Sequence, residues 1–412
     1  MKTTPVKGTN DYLPEEVLLR DYLSDVILNT YRSHGFERIT TPIVEDAENL
    51  DKSEGGENLN LIFKILKRGD KFQKAISSGD FDKLSDLGLR YDLTLPLSRY
   101  FANNRASLIS PFKCIQMDKV YRAERPQKGR LREFVQCDID ILGSSSVNCE
   151  IELINTTTKA LFNIGMDNIK VKINDRSLLN DFLLKCGFKD DELASVCISL
   201  DKLDKIGLDG VKEELTSKEF DSSSIDKLCE TFKSLPVTLD AVKIICGEDN
   251  EAVKRLETII NTVSSMTANR FEIVYDITLV RGQGYYTGTV FEIESTEFKG
   301  AIAGGGRYDN LIGKFINEQV PAVGFSIGFE RIFSILTDNS FSIPDTKKRL
   351  AVIYDADEFA DANKKADELR DTYNVVMYEK PRKNLGKFID KLEKNNCDGF
   401  YIYNQSDEIK FF

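Results

Sequence analysis

The spacing of apolar and polar residues predicts a chain that mixes helices with strands. Apolar residues recur every three or four positions across residues 15–31, directly after Pro14, which predicts an amphipathic helix. Residues 36–44 are predicted to form a strand interrupted by Pro42, and a proline there belongs at a sheet edge, a bulge or an interface. A second amphipathic helix is predicted over residues 149–162, and residues 169–173 alternate as a strand.

The pattern changes over residues 187–266, which have helical spacing, an acidic balance and many Lys, Asp, Glu and Ser residues. We interpret this segment as an inserted helical domain. Strand character returns at residues 271–276 and 285–293. Residues 300–310 are predicted to form a strand that passes into a glycine-rich turn and then a helix.

The last part of the chain has a pattern of its own. Residues 340–348 are predicted to be a linker, and beyond it short apolar runs alternate with helical segments. That alternation predicts a small α/β domain with a parallel sheet. We therefore divide the chain into a core over residues 1–340, interrupted by the insertion at 187–266, and a C-terminal domain over residues 347–412.

Composition and charge narrow the possible functions. The chain has 412 residues and a net charge of −11, which argues against a generic nucleic-acid coat but not against local basic patches. No apolar run approaches the roughly 20 residues that span a bilayer, and the N-terminus has no signal-peptide core, so no membrane and a cytoplasmic location are expected. One histidine and eight scattered cysteines argue against a zinc site or a disulfide framework.

A basic hairpin is the most distinctive feature of this acidic chain. Two strand-like runs over residues 112–143 enclose a loop that contains Arg122, Arg125, Arg130 and Arg132. Arginine presents a rigid fork that binds two phosphate oxygens at once, so the loop is a candidate polyphosphate site. A solvated, positively charged hairpin explains the same pattern, and this segment alone does not decide between the two interpretations.

Glycine-rich segments follow the helical insertion. Residues 281–292 place an arginine, two tyrosines and three glycines ahead of a strand, and glycine lets a backbone approach a ligand closely. A plain glycine-rich turn remains the alternative. In the second strand of the basic hairpin, Asp138 and Asp140 are either site residues or exposed strand positions. Tyr285 is either a site residue or part of the core, and Glu330 with Arg331 is a site pair or a surface pair.

These segments together resemble a known family. Residues 121–130, Tyr-Arg-Ala-Glu-Arg-Pro-Gln-Lys-Gly-Arg, resemble motif 2 of class II aminoacyl-tRNA synthetases, in the form of bacterial histidyl-tRNA synthetases. Residues 281–292 and 300–308 resemble the two histidine signatures of that family, and residues 324–331 resemble motif 3. Residues 89–100 are similar to its amino-acid-binding strand in the eukaryote-like form, and residues 7–14 to its N-terminal signature. The six matches occur in the family's order.

The resemblance implies a fold and an activity. The fold would be α+β, a class II synthetase catalytic core of antiparallel sheet flanked by helices, with the helical insertion and a shortened C-terminal domain similar to an anticodon-binding domain. The activity would join histidine to tRNA(His), with ATP as a substrate and Mg²⁺ as a cofactor. The segment around Pro42 resembles motif 1, which forms the dimer interface in class II synthetases, so a homodimer is implied.

The resemblance also implies roles for individual residues. Histidine would be bound by Asp92, Thr94, Gln136, Asp140, Tyr285, Tyr286, Gly304 and Gly305. ATP would be bound by Arg122, Glu124, Arg130, Phe134 and Arg331, with Glu124 as a Mg²⁺ ligand. Arg122 and Arg281 would be the catalytic residues, because fixed positive charge stabilises the charge that develops on the reacting phosphate.

Two departures from the family pattern leave an alternative. Gly284 stands where most relatives have aspartate, and the C-terminal domain ends early. Inactive paralogues of the family serve as regulatory subunits of ATP phosphoribosyltransferase in histidine biosynthesis. They usually lose the motif arginines, the histidine signatures or the C-terminal domain, whereas this chain keeps both signatures and Arg122, Arg130, Arg281 and Arg331. The ligase is therefore favoured.

Overall fold

A computed structural model describes residues 1–51, 60–127, 129–234, 237–280, 285–406 and 408–412. The chain divides into two compact units, residues 1–340 and residues 341–412. None of the described helices is long and apolar enough to cross a membrane.

Unit 1 contains helices before, within and after the predicted insertion. In chain order they are α1 Pro14–Ser33, α2 Ala47–Asp51, α3 Gly69–Ser77, α4 Thr94–Asn104, α5 Asn148–Ile164, α6 Arg176–Cys186, α7 Leu193–Leu200, α8 Leu203–Ser217, α9 Ser222–Ser234, α10 Leu239–Cys246, α11 Glu251–Met266, α12 Gly313–Ile316 and α13 Phe329–Asp338. The predicted helices at residues 15–31 and 149–162 are confirmed as α1 and α5.

The strands of unit 1 form two sheets. In chain order they are β1 Glu37–Arg38, β2 Val44–Asp46, β3 Lys64–Leu66, β4 Ser85–Leu89, β5 Phe112–Tyr121, β6 Glu133–Leu142, β7 Ile169–Asp175, β8 Glu272–Tyr275, β9 Thr289–Ser295, β10 Phe298–Arg307 and β11 Ala322–Gly328. Across the described residues, the central sheet has the order β1-β5-β6-β11-β10-β9-β7-β8, and a small sheet has the order β2-β4-β3.

The central sheet is antiparallel from β5 to β7, and only its outer pairs, β1 with β5 and β7 with β8, are parallel. Helix α5 packs against β11, and α1 packs on α5. The expected antiparallel sheet flanked by helices is therefore confirmed. In the sequence, helices α6 to α11 lie between β7 and β8. The chain therefore leaves the sheet after β7, forms these helices and returns as β8, which pairs with β7.

Two predicted elements differ from the structure. The strand predicted over residues 36–44 is two short strands, β1 and β2, which belong to different sheets. The glycine-rich turn predicted within residues 300–310 is wrong, because residues 304–306 lie inside β10 and pair with β9 and β11 on either side. Glycine favours turns because it tolerates unusual backbone angles, and it also suits a strand that must lie very close to its neighbours. Sequence pattern does not separate these two uses.

Buried ion pairs join elements of unit 1 that lie far apart in the sequence. The Arg307 guanidinium at the end of β10 binds the fully buried Glu150 of α5, with Nε to Oε1 at 2.6 Å. Arg20 of α1 binds Glu330 of α13 through two hydrogen bonds of 2.7 and 2.8 Å. Removing one partner of such a pair leaves an uncompensated buried charge, which typically costs about 3–5 kcal/mol. The contact with Arg20 holds the start of α13, whose first residues line the candidate site.

Unit 2 is a small α/β unit. Its elements are β12 Arg349–Tyr354, α14 Phe359–Arg370, β13 Asn374–Glu379, α15 Leu385–Lys394, β14 Gly399–Ile402 and β15 Lys410–Phe411. The sheet order is β13-β12-β14-β15. The first three strands are parallel, as expected, whereas β15 adds to the edge in the antiparallel direction.

Candidate active site

A cavity of about 400 Å³ opens on the central sheet of unit 1. Strands β6, β10 and β11 form its floor, the loop between β5 and β6 borders one side, and the start of α13 closes another. The cavity therefore lies where segments far apart in sequence come together.

Strand β6 supplies an acidic row to the cavity. Gln136, Asp138 and Asp140 are two residues apart, so they project from the same face of the strand, and all three line the cavity. Asp138 and Asp140 are only 5% and 3% exposed, so their interpretation as exposed strand positions is wrong. The Gln136 amide donates to Asp138 Oδ2 at 3.1 Å, and Tyr308 Oη donates to Asp140 Oδ1 at 2.7 Å.

Glycines in the neighbouring strands make room for this row. Gly324 of β11 is the cross-strand partner of Asp140, and a Cβ at position 324 would lie 1.9 Å from Asp140 Oδ1. A Cβ on Gly305 of β10 would lie 2.0 Å from the Gly324 carbonyl oxygen. Neither distance is possible for a side-chain carbon, so both positions require glycine while the strands keep this arrangement.

Burial raises the pKa values of the carboxyl groups at this end and of the nearby Asp92. It raises the pKa of Asp92 to about 6 and that of Asp138 to about 7. The pKa of Asp140 rises well above its usual range, because the group is buried and because the Asp138 charge lies nearby. The ionised forms are costly without a counter-charge, so this end of the cavity favours a cationic ligand.

Among the candidate site residues that the structure describes, Asp92 does not line the cavity. Its Oδ1 accepts a hydrogen bond from the Leu95 backbone at 3.2 Å, at the start of α4. Its Oδ2 is buried and has no hydrogen-bond partner in the described part of the chain. Thr94, two residues later, does line the cavity and accepts a hydrogen bond from Tyr285 Oη at 3.4 Å.

Arg122 marks the other, basic end of the cavity. Its Nε donates to the Tyr91 carbonyl at 2.9 Å, and its Nη2 donates to Gln136 Oε1 at 3.3 Å. The guanidinium carbon lies 5.0 Å from the centre of the Phe134 ring. The Arg122 guanidinium is thus held by the Tyr91 carbonyl, the Gln136 side-chain amide and the Phe134 ring. Gln136 joins the two ends, since its oxygen faces Arg122 and its nitrogen faces Asp138.

Three further charged candidates border the basic end. Arg130 Nη1 lies 3.9 Å from Glu124 Oε2, and both residues line the cavity. Arg331 also lines it, with Nη1 donating to the Ala301 carbonyl. Its neighbour Glu330 is 7% exposed and bound to Arg20, so the interpretation of Glu330 and Arg331 as a surface pair is wrong.

Tyr285 fits both interpretations given for it, because it lines the cavity and also belongs to the core. Tyr285 belongs to a hydrophobic cluster and is 6% exposed, yet it lines the cavity. The centre of its ring is 4.9 Å from that of Tyr286, which also lines the cavity. The preceding residues, including the predicted catalytic Arg281 and the unusual Gly284, lie outside the described residues.

The structure brings most of the predicted residues to one cavity. Those that line it are Thr94, Arg122, Glu124, Arg130, Phe134, Gln136, Asp140, Tyr285, Tyr286, Gly304, Gly305 and Arg331. Asp138, which the sequence offered as a possible site residue without a role, also lines it, as do Tyr308 and Ser326, to which no role was assigned. The two-residue spacing from Gln136 to Asp140 was a signal for Asp138. No spacing rule pointed to Tyr308 or Ser326, because their partners lie on distant strands.

The cavity is therefore bipolar. Buried carboxyl groups on β6 form one end, and arginines from the hairpin loop and α13 form the other. Such a cavity can hold a small molecule with cationic nitrogens next to a polyphosphate, with their reacting atoms between the two ends.

Comparisons with known proteins agree with this geometry. A family model described as Histidyl-tRNA synthetase matches residues 8–332. Histidine–tRNA ligase from Leifsonia xyli subsp. xyli is 42% identical over 364 residues, which cover 85% of this chain and 84% of the relative. The crystal structure of histidyl-tRNA synthetase from Nostoc sp. PCC 7120 aligns with a TM-score of 0.79 at 28% identity, over 97% of this chain and 91% of that one.

A further crystal structure shows the fold alone. It is that of an ATP phosphoribosyltransferase regulatory subunit/histidyl-tRNA synthetase from Bacillus halodurans C, with a TM-score of 0.79 at 20% identity, over 97% of this chain and 98% of that one. The family-model match covers more than half of the chain, and the relative from Leifsonia shares well over 30% of its residues. This chain belongs to the histidyl-tRNA synthetase family.

Proposed function

We propose that this protein is a histidine–tRNA ligase. It activates histidine with ATP to histidyl-adenylate and pyrophosphate, and it then transfers the histidyl group to tRNA(His). The bipolar cavity is the observation that carries the proposal, because it offers carboxylates for the cationic amino acid beside arginines for the triphosphate. Family membership supports the same reaction.

The acidic end suits histidine. Asp140 and Tyr286 bracket the imidazole, whose N–H needs an acceptor and whose second nitrogen can pair with a phenol. Asp92, Thr94 and Gln136 hold the α-ammonium group. The buried Oδ2 of Asp92, which has no hydrogen-bond partner among the described residues, supports this role, because a cation would supply that partner.

The remaining predicted contacts with histidine set the shape of the pocket. Tyr285 closes one side of the pocket, and Gly304 and Gly305 let the backbone of β10 approach the substrate. These assignments rest on the family's pattern and on the position of each residue along the cavity wall.

The basic end suits ATP. Arg122 binds the α-phosphate, Arg130 and Arg331 bind the γ-phosphate side, and Glu124 faces the adenine amine or a bound Mg²⁺. Phe134 stacks on adenine, and its ring already packs against the Arg122 guanidinium. Arg281 acts near the α-phosphate. Its role rests on the sequence match alone.

The first step needs charge stabilisation rather than a general base. One carboxylate oxygen of histidine attacks the α-phosphorus, a new C–O–P bond forms, and the bond to the bridging oxygen of pyrophosphate breaks. The attacking carboxylate is already ionised at neutral pH. Arg122 lies on the cavity wall in a fixed orientation, so it can stabilise the extra negative charge without reorganisation.

Mg²⁺ fits the basic end as a partner of the nucleotide. This ion is commonly bound by one or two carboxylates together with substrate phosphates and waters. Glu124 is such a carboxylate, and the described residues contain no cluster of His, Cys, Asp and Glu that would hold a metal by itself. When bound, the ion would neutralise phosphate charge.

The regulatory-subunit alternative predicts no catalysis. The row on β6 and the fixed Arg122 favour the ligase over this alternative. Histidine-dependent exchange of pyrophosphate into ATP by the purified protein distinguishes the two. Exchange supports the ligase, and its absence together with binding to a phosphoribosyltransferase supports the regulator.

Helix α15 is the proposed tRNA contact of unit 2. Lys387, Lys391 and Lys394 are exposed on this helix, and Lys383 is exposed just before it. The opposite face packs into the core of the unit through Phe388, Leu392 and their neighbours. The lysines are therefore held on one side, as a phosphate backbone requires. A solvated surface is the competing interpretation.

The small sheet is the proposed homodimer surface. Ile43, Val44 and Leu87 are 38%, 43% and 41% exposed, although Val44 and Leu87 lie within β2 and β4. Strand positions with large exposed apolar side chains often mark an interface. A second copy of this chain is the proposed partner at this surface.

A cytoplasmic location for the protein remains a prediction.

Replacing Arg122 with alanine is expected to abolish adenylate formation while leaving the fold intact. Removal of one fixed charge from a reacting phosphate typically lowers kcat by about 10²–10³. The measurement is the rate of ATP–pyrophosphate exchange. Arg32→Ala, which removes an exposed arginine on α1, serves as control and should keep full activity. Near-normal exchange by Arg122→Ala would refute the role.

Replacing Asp140 with asparagine is expected to weaken histidine binding more than ATP binding. The imidazole loses a charged acceptor, and a buried polar mismatch costs about 1–3 kcal/mol. Separate KM values for histidine and ATP measure the effect. Asp167→Asn, at an exposed ion pair with Arg270, is the control. Equal losses for both substrates would point to a general distortion of the site.

Replacing Lys387, Lys391 and Lys394 with glutamine is expected to weaken tRNA binding and to flatten its salt dependence, because fewer counterions are released. Exchange activity, which needs no tRNA, should stay normal. Lys364 and Lys365 of α14 lie in exposed ion pairs and provide the control double variant. Unchanged tRNA affinity across a salt series would show that this face does not contact tRNA.

Replacing Leu87 with glutamate is expected to convert a dimer into a monomer, because charge is placed on the apolar face of the small sheet. Sedimentation equilibrium measures the mass, against 46.7 kDa for one chain. Ile109→Glu introduces the same charge at an exposed position outside this sheet and should leave the dimer intact. A monomeric wild-type protein would contradict the proposed surface.

A further inference from the structure

Arg132 belongs to the basic hairpin, but it does not line the cavity as Arg122 and Arg130 do. Its side chain turns back along the loop, where Nε donates to the Glu124 carbonyl at 3.1 Å. Its backbone oxygen accepts a hydrogen bond from the Arg122 nitrogen at 2.9 Å. Arg132 is thus bonded to two of the residues that border the basic end.

The N-terminal segment completes this arrangement. The Arg132 nitrogen donates to the Gly8 carbonyl at 2.7 Å. Gly8 has a φ of +89°, a left-handed conformation that favours glycine. A Cβ at this position would lie 2.8 Å from both Arg132 Cγ and Pro126 Cγ, so the segment lies directly against the loop.

We propose that Arg132 and Gly8 form a clamp that positions the nucleotide-binding loop. Arg132 is a positioning residue: it fixes the backbone of Glu124 and Arg122, while its charge is not required for contact with the nucleotide. The N-terminal segment therefore determines ATP affinity without touching ATP. This inference rests on the proposed role of the loop in ATP binding.

Glutamine separates the hydrogen bond from the charge. Its Nε2 atom is reached through the same number of bonds as arginine Nε, so Arg132→Gln keeps a donor for the Glu124 carbonyl and removes the positive charge. Arg132→Ala removes both. A positioning role predicts that glutamine restores function, whereas direct phosphate binding predicts that both variants are equally impaired.

The experiment measures the KM values for ATP and histidine in pyrophosphate exchange, together with ATP binding by calorimetry. Loss of one hydrogen bond, worth about 1 kcal/mol, should raise the ATP KM of Arg132→Ala by about three- to tenfold. The histidine KM should stay within about twofold, and Arg132→Gln should stay close to the wild-type protein.

Gly8→Ala tests the other half of the clamp without changing any charge. It should raise the ATP KM in the same direction as Arg132→Ala, and the double variant should be no worse than the poorer single one, because both changes disturb the packing of residue 8 against the Arg132 side chain. Gly35→Ala is the matched control: Gly35 also has a positive φ, of +83°, but open space around its Cβ position.

The outcomes are distinct. An unchanged ATP KM in Arg132→Ala, or equal impairment of the alanine and glutamine variants, would overturn the positioning role. Independent, additive effects of the Gly8 and Arg132 variants would overturn the clamp. Failure of the proposed function appears differently, as absence of histidine-dependent exchange in the wild-type protein, and calorimetry with ATP still tests the clamp in that case.

Discussion

The burial of carboxyl groups along strand β6 is the constraint on which the site depends. A carboxylate removed from water must receive hydrogen bonds or a counter-charge. The surrounding strands meet that need with Tyr308 beside Asp140 and with the Gln136 amide beside Asp138. Space is equally constrained, because Gly324 must lack a side chain for Asp140 to lie where it does. The chemistry of one strand thus restricts the residues of its neighbours.

Charge organises the surrounding scaffold as well. Glu150 and Glu330 are buried carboxylates, yet each is satisfied by an arginine that belongs to another element. Each is ion-paired within the protein, whereas a buried oxygen of Asp92 has no hydrogen-bond partner in the described part of the chain. This contrast separates carboxylates that hold the fold together from a carboxylate that remains available to a ligand.

Local patterns predicted much of the fold and of the site. The helices α1 and α5 follow from apolar spacing, and the hairpin of β5 and β6 follows from two apolar runs around an arginine-rich loop. The strand through Gly304 to Gly306 was mistaken for a turn, since glycine serves both. Tyr308 and Arg20 escaped notice because their partners, Asp140 and Glu330, lie 168 and 310 residues away. Contacts of that range are set by sheet order, which spacing does not encode.

Gln136 has a consequence for redesign of the substrate range. Its oxygen faces Arg122 at one end of the cavity, and its nitrogen faces Asp138 at the other. One amide thus serves both halves of the site. A substitution chosen to admit a different amino acid at position 136 also removes an acceptor from the arginine beside the nucleotide. The two pockets cannot be altered independently through this residue, so a change of amino-acid preference made here would require a compensating partner for Arg122.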